Sequence, residues 1–188
     1  MNKKNEDEDE EKGYVHIYTG DGKGKTTAAF GLAVRALMAG KRVFIGQFVK
    51  SMKYHETKLE EYLEGLTIKQ YGNGCFIYKN EPTQEDKTMA VEGLAEIERL
   101  LAAQSKTVDN KYDMIILDEV TIALRYKLLD IDRVVRVIRE RNPSVEVVLT
   151  GRGAPEELIQ IGDVVTEMRA IKHYYEEQGV LARDGIER

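Results

Sequence analysis

The chain alternates short apolar runs with longer stretches in which apolar residues recur at helical spacing. Six runs have the length and the β-branched or aromatic content of strands. They cover residues 14–19, 42–48, 66–72, 112–119, 145–151 and 163–169. Helical patterns occupy the intervals, at residues 26–40, 55–64, 82–104, 120–128, 131–141 and 155–162. Residues 170–188 fit neither pattern.

Strands that alternate with helices predict βαβ units, and therefore an α/β domain whose mostly parallel sheet carries helices on both faces. The runs at 112–119 and 145–151 are largely apolar without alternation, as is typical of strands in the centre of such a sheet. Ligands of open α/β sheets bind outside the carboxyl ends of the strands. We therefore expect the functional residues at 19–27, 118–121 and 150–155.

The segment from Thr19 to Thr27 reads TGDGKGKTT and lies between a predicted strand and a predicted helix. That is the setting of a P-loop, in which backbone N–H groups and a helix N-terminus bind phosphate. The usual motif begins with glycine, whereas threonine stands at that position here. The alternative is a glycine-rich turn with incidental lysines. We assign ATP binding to Thr19, Gly20, Asp21, Gly22, Lys23, Gly24, Lys25, Thr26 and Thr27.

Two acidic residues, Asp118 and Glu119, end the fourth predicted strand. With the Thr26 hydroxyl they are the predicted Mg²⁺ (or Mn²⁺) site, because P-loop enzymes hold the metal with these groups. The sequence leaves open which carboxylate meets the metal. Arg152, between two glycines after the fifth strand, and Arg35, on the first helix, are predicted phosphate contacts. An ordinary loop arginine and a surface ion pair are the respective alternatives.

Composition and charge argue against a nucleic-acid-binding or membrane-spanning protein. The net charge is −5 and much of it lies in an acidic N-terminal stretch, so nothing resembles the basic surface of a nucleic-acid-binding protein. We predict a disordered tail at residues 1–12 and a single domain at 13–188. With no apolar run long enough for a membrane span, no signal-peptide pattern and one cysteine, we expect a cytoplasmic protein without a membrane segment. No nucleophile–base set or metal-ligand spacing is visible, so a general base is not apparent.

Several blocks together carry a family resemblance: TGDGKGKTTAAFGLAVRA, GQFVK, ILDEVT, LTGRGAPEEL and DVVTEMRAIKH. In this order and spacing they resemble the P-loop-type ATP:cob(I)alamin (corrinoid) adenosyltransferases, in which threonine at the first loop position is usual. The resemblance spans about residues 13–188. It implies a RecA-like P-loop fold and a homodimer.

The resemblance also implies the reaction. Co(I) of a reduced corrinoid attacks C5′ of ATP and displaces triphosphate. An electron donor such as a flavoprotein reduces the cobalt beforehand. It implies that Phe76, Ile77 and Tyr78 face the corrinoid, although the tryptophan of well-known members is absent. A loop with core aromatics is the alternative for that segment. A P-loop ATPase or small-molecule kinase, and a non-catalytic carrier of nucleotide or corrinoid, are the other functions to be tested.

Overall fold

A computed structural model describes residues 12–50, 55–72, 81–103 and 112–187. Its centre is a six-stranded sheet of β1 (Val15–Thr19), β2 (Val43–Phe48), β3 (Leu66–Tyr71), β4 (Met114–Asp118), β5 (Glu146–Thr150) and β6 (Val164–Glu167). The strand order is β3-β2-β4-β5-β1-β6 and every pairing is parallel. The predicted α/β class is confirmed, and β4 and β5 are the two central strands, as their apolar runs indicated.

Helices connect the strands. They are α1 (Lys25–Met38), α2 (Gln84–Leu101), α3 (Val120–Arg125), α4 (Ile131–Arg139), α5 (Glu156–Ile159) and α6 (Tyr174–Gln178), with a 3₁₀ helix at His55–Glu61. All predicted helices are present, but several are shorter. The last, α6, lies in the stretch that fitted neither pattern. Among the described residues no helix is both long and apolar enough to cross a membrane.

Alternate residues of the central strands pack into two separate cores. Ile116 of β4 and Val148 of β5 face α1, while Ile115 and Leu117 face the layer that contains α2 and α4. Because successive side chains of a strand point to opposite faces, a strand covered on both sides must be apolar at every position. This is the physical reason for the unbroken apolar runs in the sequence.

Local signals fix the ends of the connecting helices. Thr83 caps α2 in a reciprocal pair with Asp86, whose backbone N–H donates to the threonine hydroxyl. Gly40, with φ of 78°, follows the end of α1. The predicted N-terminal tail is not described before Lys12, and Phe76, Ile77 and Tyr78 also lie outside the described residues.

Candidate active site

The three segments that the sequence singled out meet in one cleft at the carboxyl ends of β1, β4 and β5. The cleft has a volume of about 510 Å³. Residues from the glycine-rich loop and α1, from the 3₁₀ helix, from the segments that follow β2, β4 and β5 and from the C-terminal segment line it. They are Asp21, Gly22, Lys23, Gly24, Lys25, Thr26, Thr27, Phe30, Lys50, His55, Glu56, Glu119, Arg152, His173, Gly185, Ile186 and Glu187.

The loop after β1 wraps around the ammonium of its own lysine. Lys25 Nζ donates to the carbonyl oxygens of Gly20 and Gly22, each at 2.7 Å. Burial lowers the pKa of Lys25, and the charges of Glu119 and Asp21 offset part of that effect. An ammonium has three N–H donors, so these two bonds leave one for a phosphate oxygen.

The glycines of the loop are required by its close neighbour as well as by its own turn. A side chain at Gly20 or Gly22 would meet the backbone of Met168, which follows β6, at 2.4 and 2.7 Å. The Gly22 N–H donates to the Met168 carbonyl at 2.7 Å. The loop is therefore held by β6 on one side and continues into α1 on the other.

The first turn of α1 is suited to an anion. Its N-cap is Gly24, with φ of 118°, and neither a capping side chain nor an acidic residue accepts the N–H groups of the first turn. The positive end of a helix dipole and unpaired N–H groups attract phosphate. A 14-residue helix begins here, directly beside the Lys25 ammonium.

Asp118 is fully buried and each of its oxygens accepts two hydrogen bonds. Oδ1 accepts from the hydroxyls of Thr26 at 2.9 Å and Thr150 at 2.6 Å. Oδ2 accepts from Gln47 at 3.1 Å and from the Lys50 ammonium at 2.8 Å. Burial alone would raise the pKa of Asp118, but the Lys50 charge and these bonds outweigh it and lower the pKa. Asp118 is therefore ionised and saturated.

Glu119 differs from its neighbour in backbone conformation, in hydrogen bonding and in the direction of its pKa shift. Its backbone is left-handed, with φ of 60°, and among the described residues its buried Oε2 has no hydrogen-bond partner. Burial, followed by the charge of Asp118, raises the pKa of Glu119. A buried oxygen without a partner is costly unless a ligand satisfies it. A hard cation such as Mg²⁺ fits this oxygen, because it prefers carboxylate and hydroxyl oxygens.

The segment after β5 joins β1 and β4 at the same edge. The Thr19 hydroxyl accepts from the Ala154 N–H at 3.0 Å, and Thr121 Oγ1 donates to the Arg152 carbonyl at 2.8 Å. Gly151 has φ of 136°, and a side chain there would meet Thr121 Oγ1 at 2.1 Å. These contacts hold the segment that brings the exposed Arg152 to the lining of the cleft.

Comparison with known proteins decides the family. A sequence model described as ATP:corrinoid adenosyltransferase BtuR/CobO/CobP matches residues 11–188. The chain belongs to the ATP:corrinoid adenosyltransferase family. It is thus an ATP-using transferase of the class that the sequence blocks resembled.

Curated relatives of the same family cover nearly the whole chain. A corrinoid adenosyltransferase of Sinorhizobium sp is 38% identical over 95% of this chain and 81% of its own length. That of Escherichia coli (strain K12) is 34% identical over 95% and 87%, and corrinoid adenosyltransferase CobA of Salmonella typhimurium is 33% identical over the same shares. Among solved structures, the RadB recombinase aligns with 76% of this chain and 62% of its own at a TM-score of 0.41 and 14% identity.

Three predicted ATP contacts are absent from the cleft lining: Thr19 and Gly20, at the start of the glycine-rich loop, and Arg35, which lies much further from it. Arg35 lies in the last turn of α1, ten residues after Lys25. Ten residues of α-helix span about 15 Å. Within one chain that separation argues against a contact between Arg35 and a nucleotide bound at the loop.

Two parts of the cleft were not predicted as site residues from the sequence. Lys50 follows β2 and binds Asp118 across 68 residues of chain. Its sequence signal was its place at the end of the block GQFVK, just beyond a strand that lies next to β4. Burial lowers the pKa of Lys50, but the negative charge of Asp118 and their hydrogen bond reverse that effect and raise it.

The C-terminal segment is the second part. Glu187 accepts from Lys23 Nζ at 2.6 Å and from the Arg183 N–H at 2.9 Å, and the Tyr174 hydroxyl contacts the same carboxylate. Hydrogen bonds from Lys23, Tyr174 and Arg183 lower the pKa of Glu187. The unassigned C-terminal residues thus lie against the glycine-rich loop, and His173 and Ile186 line the cleft there.

Proposed function

We propose that the chain transfers the 5′-deoxyadenosyl group of ATP to Co(I) of a corrinoid, either cobalamin or cobyrinic acid a,c-diamide, and releases triphosphate. Cobalt forms a bond to C5′ while the bond between C5′ and its oxygen breaks, and the leaving triphosphate takes the electron pair. The family and the cleft support this proposal. The observation that carries it is the loop ammonium of Lys25 beside the uncapped start of α1, on the same cleft as Glu119.

The cleft suits the departure of a polyphosphate. Triphosphate gains negative charge as it leaves, so fixed positive groups that are already in place stabilise the transition state more than the bound substrate. Lys25, the N-terminus of α1 and Arg152 supply such groups. The Thr19 hydroxyl supports this arrangement indirectly, because it fixes the segment that carries Arg152.

A divalent cation fits between the loop and β4. Thr26 and Glu119 are the residues that we propose to hold Mg²⁺ (or Mn²⁺), and the ion would neutralise charge on the triphosphate. We propose that Asp118 does not bind the ion directly, because four described donors already occupy its oxygens. It orients the Thr26 hydroxyl. The unpartnered Glu119 Oε2 supports our choice of Glu119 over Asp118, which the sequence left open.

The proposed nucleophile is the cobalt of the substrate, so the protein need not remove a proton. His55 and His173 do line the cleft, but His173 Nδ1 accepts the N–H of Tyr175 at the start of α6. By resemblance we further propose that the protein is a homodimer and that an electron donor such as a flavoprotein reduces the cobalt. The cytoplasmic location expected from the sequence also stays a proposal. The corrinoid contacts at residues 76–78 remain a proposal on the same ground.

Product analysis tests the reaction. Under anaerobic conditions the protein is incubated with Mg·ATP and a chemically reduced Co(I) corrinoid, and the light-sensitive absorbance of a cobalt–carbon bond is followed. Phosphorus NMR identifies the released phosphates. We expect triphosphate in proportion to the adenosylated product. ADP without a cobalt–carbon bond would instead indicate a kinase or ATPase, and binding of both substrates without turnover would indicate a carrier.

A matched pair of lysine variants tests the site. Lys25→Met removes the loop cation and should lower kcat by roughly 100-fold or more, the effect of losing a preorganised charged donor. Lys69→Met is the control. Lys69 lies on β3, pairs with Glu96 of α2 at 2.5 Å and is absent from the cleft lining. Both proteins should unfold cooperatively. A soluble Lys25→Met protein with the native rate would refute the site.

A further inference from the structure

Lys50, which lines the cleft, directly follows a residue with a strained backbone. The preceding residue, Val49, has φ of 63°. A β-branched residue in the left-handed region is a genuine outlier and costs on the order of 1–3 kcal/mol. Such strain persists only where neighbouring structure enforces it, and it is concentrated at functional sites.

Neighbouring structure does enforce this turn. The backbone of Val49 and Lys50 lies directly over Gly72, where a Cβ would come within 2.7 Å of the Val49 carbonyl carbon and 2.8 Å of the Lys50 nitrogen. Gln47, two residues before Val49, is fully buried and binds the same Asp118 oxygen as Lys50. The end of β2 is thus fixed on both sides of the strained residue.

The Lys50 ammonium lies close to the predicted metal and phosphate groups. It binds Asp118 Oδ2, while the Thr26 hydroxyl binds Oδ1 of the same carboxylate. Its side chain is 17% exposed and lines the cleft together with Lys25. An ammonium carries three N–H donors, so Lys50 can keep its bond to Asp118 while another of its donors turns to an anion that enters the cleft.

The charge balance of the cleft favours a role for the Lys50 cation in binding a polyanion. The lining contains four carboxylates and four permanent cations, and one pair, Lys23 with Glu187, is already mutually bound. When the buried Asp118 beside the lining is counted as well, the cleft without Lys50 would have five carboxylates against three cations, a balance that opposes a polyanion. The lining groups are Asp21, Glu56, Glu119 and Glu187 against Lys23, Lys25, Lys50 and Arg152.

We propose that Lys50 is a direct contact of the leaving triphosphate: its ammonium keeps its bond to Asp118 and donates a second hydrogen bond to a phosphate oxygen. This inference rests on the proposed function, since it assumes a polyphosphate in the cleft. It adds a third protein cation to Lys25 and Arg152. The strained turn at Val49 holds that cation in place before the nucleotide arrives.

Calorimetry with inorganic tripolyphosphate in the presence of EDTA tests the contact, because it removes both the adenosyl group and the metal. Lys50→Gln should weaken tripolyphosphate binding by roughly ten- to hundredfold, the range for a lost hydrogen bond between charged groups. Lys50→Arg keeps the charge and should recover most of the affinity. Lys69→Gln, which removes a lysine that also pairs with a carboxylate, should bind as the unmodified protein does.

The Lys50→Gln substitution in an Asp118→Asn protein distinguishes a phosphate contact of Lys50 from a role limited to neutralising the charge of Asp118. Lys50→Gln alone leaves a buried carboxylate without its cation, which destabilises the fold. In Asp118→Asn that carboxylate is already neutral, so Asp118→Asn/Lys50→Gln has no uncompensated charge. We expect the double variant to bind tripolyphosphate at least tenfold more weakly than Asp118→Asn.

The outcomes distinguish this inference from the proposed function. Equal affinity of Asp118→Asn and the double variant would overturn the phosphate contact and leave Lys50 as the counter-ion of Asp118. Failure of the unmodified protein and of Asp118→Asn to bind tripolyphosphate at all would overturn the polyphosphate cleft, and Lys50 with it. Weaker binding by Lys69→Gln to the same extent would show a general charge effect and would also reject the assignment.

Discussion

Replacing Thr150 by valine should destabilise the protein far more than the loss of one hydroxyl on the surface. Thr150 is fully buried at the end of β5, and its hydroxyl serves two partners at once. It donates to Asp118 Oδ1 at 2.6 Å and accepts from the Glu119 N–H at 2.9 Å. Valine has nearly the same shape and can make neither bond.

The magnitude follows from those two bonds. A hydrogen bond to a charged group contributes about 1.5–3 kcal/mol, and a buried N–H without a partner costs about 1–3 kcal/mol. Thr26 still donates to the same Asp118 oxygen, so we expect a value near the lower end, about 3 kcal/mol. For a chain of this size that corresponds to a fall in Tm of roughly 6–12 °C.

Urea and thermal unfolding, followed by circular dichroism, measure the loss. Thr150→Ser is the matched control, because it keeps the hydroxyl and removes one methyl group, which costs about 1 kcal/mol. The valine variant must therefore be about 2 kcal/mol less stable than the serine variant. Equal stability of the two proteins would show that the hydroxyl does not support Asp118 and Glu119 in the native state.

Two further stability predictions concern a carboxylate and a pair of glycines. The raised pKa of Glu119 means that the folded state binds its proton more tightly than the unfolded state, so stability falls as pH rises above the ordinary glutamate pKa. Glu119→Gln should remove this loss and stabilise the protein at pH 7 by on the order of 1 kcal/mol. A pH profile of Tm that is the same for both proteins would contradict this prediction. Gly93→Ala in α2 should destabilise the protein by about 1–3 kcal/mol, because the added Cβ would meet the Tyr71 ring at 2.3 Å. Gly31→Ala in α1, where a Cβ would have nothing within 4 Å, should stabilise it by about 0.5–1 kcal/mol. Chemical denaturation measures both free energies of unfolding, and changes of the same sign would refute the packing argument.

The amino-acid sequence by itself determined the order of the strands and helices, the parallel sheet and the glycine-rich loop. Each depends on residues close together in the chain: alternating or unbroken apolar runs, a capping pair such as Thr83 and Asp86, and glycines at the turns. The rule that ligands bind at the carboxyl ends of strands then predicted that residues 19–27, 118–121 and 150–155 would meet. They do.

Only the tertiary structure decided which of these residues have unsatisfied or available groups. Asp118 and Glu119 are adjacent in sequence, yet one is saturated by partners from β1–α1, β2 and β5 and the other keeps a buried oxygen without a described partner. Lys50 and Glu187 reach the cleft across 68 and 164 residues of chain. No local pattern encodes such contacts, because burial and hydrogen bonding depend on which distant segments the folded chain brings together.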